Sequence, residues 1–484
     1  MKQLLTLALG LLLTACSSPI EQELFPAQGA RNVNPDTRLS ILFDSEPTVG
    51  ASGMIRVWDA DTDTVVDSLD LSIPAGPTEP RKLPKAPYTW EPYSYDQPRK
   101  TNADTKPGTP SGVAEPTSDE YQLTIIGGFT DGFHFHPILV RENRAEIYLH
   151  HNLLEYGKEY YVTLDEGVLT TAEGDFRGIT KADGWRFKTK KQGPAADQRR
   201  LTVNADGTAD FNTEPYTIFI HNGDYEELVY FRSKRHLTIE GESREGVKVH
   251  YPNNEVFNPY PKNVATNEWP GTFPSRRAAF MADNCTDLTM RNLTVATDLK
   301  GQAEGLLLMG ERMFLDQVTI IGSGDALQAN GSVYLHKCRL VGDGDSILGR
   351  GPGFYDSCEL ISGGPFMWIR NTNENHGNVF VRCHFEGVGN RAVIARTNPK
   401  YDYCEAVLLH CTMNNIQPIG WYGLPDKLVD QRYWEYDSRD TEGNPIDYSQ
   451  RLKGSRRLDG EKDKELIANY MNPAFVLDGW NPME

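Results

Sequence analysis

The chain has 484 residues, 39% of them hydrophobic and 24% charged, with 67 Asp+Glu against 49 Lys+Arg for a formal net charge of −18. That is ample apolar material for two domains with their own cores. With no basic stripe in such an acidic chain, the charge argues against nucleic acid as a partner, and a polyanionic substrate would have to be held by local arginines.

At the start, Met1-Lys2-Gln3 leads into an apolar run, Leu4 to Thr14, that is too short to span a bilayer, and then into Leu13-Thr14-Ala15-Cys16. A basic start, a short apolar stretch and a small-residue junction read as a secretory signal peptide. The ending resembles a bacterial lipobox, which implies cleavage before Cys16 and lipidation of its thiol; the alternative is an ordinary signal peptide with a chance cysteine. An exported protein is expected either way, and the lipobox implies a lipid anchor in the bacterial outer membrane.

Residues 24 to 190 hold short alternating runs, among them Arg38 to Asp44, Met54 to Trp58, Tyr160 to Leu164 and Trp185 to Thr189. Separated by turn residues, they predict an antiparallel β-sandwich. The opening Pro26-Ala27-Gln28-Gly29 and the closing Trp185-Arg186-Phe187-Lys188 resemble bacterial Ig-like domains. Pro74 to Thr117 is rich in proline and polar residues and reads as a long exposed insertion. His134, His136, His150 and His151 fall at strand-like spacing, which favours ordinary histidines over a metal site.

Lys191 to Arg200 reads as a linker, and residues 201 to 484 form the second domain. Here Met313 to Ile320 is echoed by Val333 to Leu340 and by Phe354 to Leu360, with Val318, Cys338 and Cys358 in the same place of each copy. Such a short repeat of β-branched and aromatic strands, punctuated by Gly and Asn, predicts a right-handed parallel β-helix with one coil per repeat. The fold class is therefore all-β, an Ig-like sandwich followed by a parallel β-helix. Cys338, Cys358, Cys383 and Cys411 lie mid-strand, which predicts an inward stack of reduced thiols; one disulfide among these and Cys285 and Cys404 is the alternative.

Asp325 and Asp345 are separated by the same interval as Val318 and Cys338, and each lies in a small-residue loop. On adjacent coils they would be stacked about 5 Å apart, where two carboxylates repel by roughly 3 kcal/mol at an effective dielectric of about 20, enough to separate their pKa values by about two units. One can then stay protonated while the other is ionised, as an acid and a nucleophile require. Taken literally, the register puts Gln302, Asp325, Asp345, Arg370 and Arg396 in one column. An amide, two carboxylates and two guanidiniums suit ester cleavage: one carboxylate attacks, the other protonates the leaving alkoxide, the amide donates to the oxyanion and an arginine keeps the nucleophile ionised.

Several motifs, in order, resemble the pectin methylesterases. Gly223-Asp224-Tyr225-Glu226-Glu227 matches their G-x-Y-x-E, and Gly301 to Leu306 looks like the segment leading to G-Q-A-V-A-L. Gly324 to Leu327 falls at Q-D-T-L, Asp345 to Gly349 at D-F-I-F-G, and Ala395 to Asn398 at G-R-P-W. The resemblance covers about residues 200 to 484. It implies Asp345 as nucleophile, Asp325 as general acid and then base, Gln302 as oxyanion donor and Arg396 as partner of Asp345. It further implies a methyl-esterified pectic substrate, no cofactor and no metal, and a monomer is expected.

The departures are Gly324 in place of a glutamine, Asn398 in place of a tryptophan, and Ser346 and Leu348 in place of two phenylalanines. Gln328 is the nearest substitute for the missing donor, and Trp368, Tyr403 or Trp421 for the missing stacking platform, with Arg370 also assigned to substrate binding. These changes suggest a groove for a branched or complex pectin. A non-catalytic pectin-binding relative and a β-helix lyase or glycosidase are the alternatives; no G-H-G or R-I-K of a polygalacturonase occurs.

Overall fold

The computed structural model describes residues 22–79, 121–124, 126, 133–174, 176–193, 200–203, 209–212, 216–232, 234–258, 276–397, 403–422 and 431–484. Cys16, Asn398 and most of the Pro-rich insertion lie outside the described residues. The chain forms two compact units, one of residues 1–73 and 136–193 and the other of residues 74–135 and 194–484.

In the first unit, one sheet orders Glu23–Phe25, Leu39–Leu42, Arg144–Ile147 and Ile138–Arg141, all antiparallel. The other orders Ala30–Val33, Arg186–Thr189, Glu159–Leu164, Met54–Asp59 and Thr64–Asp70. Alternation along Met54–Asp59 sends Ile55 and Val57 inward, to a core shared with Leu39, Ile41, Val162 and Trp185. The indole of fully buried Trp185 is satisfied by the Pro26 carbonyl at 2.9 Å. His150 pairs with Asp67 at 2.7 Å, an ordinary hydrogen-bonded histidine.

The second unit is a parallel β-helix. One wall is a nine-stranded sheet from Gly223–Glu226 to Arg439–Asp440, parallel throughout. A second wall includes Gly353–Asp356, Asn378–Val381 and Glu405–Leu409, and a third includes Ile347–Gly349, Pro365–Ile369 and Val393–Thr397. Leu306–Asp316 and Leu327–His336 bend round the corner and belong to both of these walls. Phe314 pairs with Tyr334 and Tyr334 with Phe354, the register the repeats predict.

Five successive passages from the second wall to the first each use one left-handed residue: Gln317, Lys337, Ser357, Arg382 and His410 have φ of 54, 50, 55, 55 and 56°. Such a conformation is costly without glycine. It is offset here because each of these backbone N–H groups donates to a carbonyl of the next coil, all at 2.9 Å. The residue that follows turns inward, so Val318, Cys338, Cys358, Cys383 and Cys411 form a buried column. All six described cysteines are buried and none is in a disulfide, so among the described residues the reduced stack is observed and the disulfide alternative is not. Alkylation of denatured protein without reductant should therefore label six thiols at these positions by mass; four would reveal a disulfide.

The segment after the Pro-rich stretch belongs to the β-helix unit. Phe133 sets its edge against Tyr230 at 4.7 Å, and with Ile126 it buries Met281 and Leu307 on the outer surface of the third wall. Asn258 locks it by accepting from the His134 N–H at 2.8 Å and donating to the His134 carbonyl at 3.1 Å.

Candidate active site

The two aspartates occupy equivalent places at the entry to the third wall: Leu327 pairs with Ile347, and each aspartate stands two residues before its strand partner. Adjacent parallel strands are about 4.8 Å apart. Their surroundings differ. Asp345 sits at φ 51°, and Arg396 holds it bidentately, Nε donating to Oδ1 at 2.6 Å and Nη2 to Oδ2. Its side chain is 18% exposed against 6% for Asp325, so Asp345 is the one a substrate can reach.

Asp325 lies deeper and accepts one N–H from Arg277, Nη2 to Oδ2 at 2.6 Å. Burial raises its pKa to about 7; the Arg277 charge opposes this, the Glu304 and Asp345 charges reinforce it, and Arg370 opposes it further. Arg277 is gripped by fully buried Glu304, Nε donating at 3.0 and 2.9 Å and Nη2 at 2.8 Å. Its remaining amino group reaches Gln302 Oε1 at 3.2 Å and Glu255 at 3.3 Å.

The structure thus brings Asp325, Asp345 and Arg396 together, with Gln302 joined through Arg277. The single five-residue column is corrected. Leu306 pairs with Leu327, which puts Glu304 rather than Gln302 level with Asp325, and Trp368 rather than Arg370 pairs with Arg396. Arg370 and Arg396 instead flank the Trp368 ring, at 4.8 and 4.3 Å from its centroid. Gln328 is buried on the strand that follows Asp325, between Leu307 and Leu348. Gly324 has φ 77°, a conformation that disfavours any side chain at that position.

Two aromatic assignments change. Trp421 cannot stack on a sugar: it is fully buried, parallel to Tyr433 at 4.9 Å, with its indole N–H on Glu435 at 3.1 Å. Tyr403 lies instead in a cavity of about 610 Å³ lined also by Arg432, His376, Phe475 and Trp480. Its hydroxyl donates to buried Glu405 at 2.5 Å, a carboxylate also held by Tyr470 at 2.6 Å and Arg432 at 3.0 Å. Trp368, half-buried, lies against the Arg396 guanidinium that holds Asp345.

Glu226, His250 and Asp298 are the carboxylate and imidazole group with metal-like spacing among the described residues. Both nitrogens of His250 already bond carboxylates, Asp298 at 2.5 Å and Asp224.

Arg277 and Glu304 were missed in the sequence, where they sit unremarked in Arg276-Arg277-Ala278 and Gln302-Ala303-Glu304. The signal available was Glu304 itself, an acid at the valine position of a motif that otherwise runs into an apolar strand.

Fold and site together define a parallel β-helix carrying a carboxylate pair on adjacent coils, each bonded to an arginine, one partly exposed and the other buried. No family model and no curated protein sequence matches the chain. Among solved structures it is similar to pectin methylesterase PemA from Erwinia chrysanthemi, at 18% identity over 58% of this chain and 97% of that one, with a TM-score of 0.44. The pectin methylesterase from Yersinia enterocolitica is similar at 19% identity over 56% and 95%, with a TM-score of 0.42. That from Aspergillus niger is similar at 16% over 55% and 88%, with a TM-score of 0.43.

Proposed function

We propose that the chain hydrolyses methyl esters of galacturonate units in pectin. The observation that carries this is the contrast between two adjacent carboxylates: Asp345, partly exposed and held by the Arg396 fork, and Asp325, buried with its pKa raised to about 7. The Asp345 carboxylate attacks the ester carbonyl and forms a mixed anhydride. As the C–OCH3 bond breaks, the Asp325 proton passes to the methoxide oxygen and methanol leaves. Asp325, now a carboxylate, takes a proton from water, whose oxygen attacks the galacturonyl carbon; Asp345 departs as carboxylate and the pectic acid is released. In this reading Gln302, whose Oε1 accepts from Arg277, donates its amide N–H to the oxyanion, and Arg370 and Trp368 offer a cation and a ring to the sugar acid.

The finer specificity also belongs to the proposal. Trp368 stands between two guanidiniums rather than on a flat platform, which supports a branched or complex pectin over a plain unbranched galacturonan. Lipidation at Cys16 and an Ig-like spacer would place a monomeric enzyme at the bacterial outer membrane.

The test is methanol release from methyl-esterified pectin in the presence of a chelator. Because Asp325 must start protonated, kcat/KM should fall as pH rises through about 7. Asp325→Asn should lower release by about 10²- to 10⁴-fold. Unsaturated or reducing ends without methanol would reassign the protein to the lyases or glycosidases, and no product at all would make it a binding protein. A linear methylated oligogalacturonide turned over as well as a branched pectin would remove the specificity claim alone.

A further inference from the structure

A buried arginine beside a general acid poses a problem. An uncompensated guanidinium 2.6 Å from Asp325 would stabilise the carboxylate and drive off the proton that the acid has to deliver. A guanidinium has five N–H donors, and in Arg277 each has an acceptor: Nε–H on Glu304, the Nη1 hydrogens on Gln302 and Glu255, the Nη2 hydrogens on Glu304 and Asp325. None is left for an oxyanion. Arg277 is therefore no replacement for the donor lost at Gly324; it acts through Asp325.

We propose that Arg277 and Glu304 are a positioning pair that fixes the Asp325 carboxyl while cancelling the charge that would otherwise deprotonate it. The inference rests on Asp325 being the general acid. Glu304 is fully buried and takes three of the Arg277 contacts, so most of the positive charge is matched before it reaches Asp325. The single N–H on Oδ2 orients the carboxyl, and among the described residues nothing bonds Oδ1, which is left to hold the transferred proton. The other charges around Asp325 include Asp345 on the next coil, Arg370 just after the strand Pro365–Ile369, and Glu255 at 3.3 Å from the Arg277 guanidinium, and all three are unchanged when the pair is altered.

The experiment compares wild type, Glu304→Gln and the doubly neutral Arg277→Met/Glu304→Leu by two readouts. One is the pH profile of methanol release. The other is the protonated-carboxyl infrared signal of Asp325, isolated by subtraction of Asp325→Asn, which needs no turnover. Removing only the negative charge leaves Arg277 acting on Asp325, so in Glu304→Gln both midpoints should move down by about 1–2 pH units. Removing both charges should return them to within about half a unit of wild type, and the double variant should fold because a buried ion pair exchanged for apolar side chains commonly keeps stability. A uniform loss of rate in Glu304→Gln with both midpoints unmoved would overturn the pair's role. If the infrared midpoint moves as stated but wild type releases no methanol, the charge-setting stands and the esterase does not; the reverse result leaves the esterase standing and sinks the pair.

Discussion

Asp345→Asn should reduce the rate of methanol release by about 10⁴- to 10⁶-fold, the scale seen when a nucleophile is removed, while its melting temperature stays within a few degrees of wild type. Asparagine is the informative substitution because Asp345 occupies the left-handed region at φ 51°, where Asp and Asn are the side chains best tolerated after glycine. Alanine there would mix a backbone penalty with the chemical one. The amide keeps the size of the carboxylate and can still accept one N–H from Arg396, whose guanidinium stays seated on Trp368 at 4.3 Å. What it loses is the carboxylate that attacks in the proposed mechanism. Methanol release by Asp345→Asn within tenfold of wild type, with calorimetry showing an intact fold, would remove Asp345 as the nucleophile.

The same residue shows how much of the site could be read from the chain. Asp325 and Asp345 are legible because a solenoid turns sequence interval into spatial adjacency, and the step from one to the other is a single coil. The thiol column is legible for the same reason. Legibility fails where loops change length. The step from Trp368 to Arg396 is longer than the step from Leu327 to Ile347, so a column counted at a steadier spacing drifts and sets Arg370 where Trp368 belongs. Arg396 reaches Asp345 nonetheless, because a long side chain spans the offset sideways. Trp421 failed for a different reason: its burial is decided by Tyr433 and Glu435, on a later strand, and nothing local to Trp421 announces them. Arg277 meets Asp325 across 48 residues and two coils, a pairing that charge alone does not reveal.

The corner glycines were equally silent in the sequence, and they carry the largest expected effect on stability. Gly331→Ala should lower stability by on the order of 4 kcal/mol or more, a fall in melting temperature of roughly 10 °C. Gly331 lies where Leu327–His336 bends from the third wall to the second, at φ 151°, and a Cβ there would stand 1.5 Å from the Gly310 carbonyl oxygen. The coils on either side offer no relief, since Gly310 is itself packed so that its own Cβ would meet the Cys285 carbonyl at 1.9 Å, and that of Gly351 would meet the Gly331 carbonyl at 2.0 Å. Parallel ladders hold these backbones at one strand spacing, so the added methyl has to push the Gly310 coil away, and in a solenoid the interfaces between coils supply most of the stability. Differential scanning calorimetry at a fixed scan rate would measure this, together with methanol release below the transition. The loss of activity should track the unfolded fraction, the opposite of Asp345→Asn, where chemistry disappears and the fold remains. A Gly331→Ala protein that melts within about 2 °C of wild type would mean that the corner can open without disturbing the strands that carry Asp325 and Asp345.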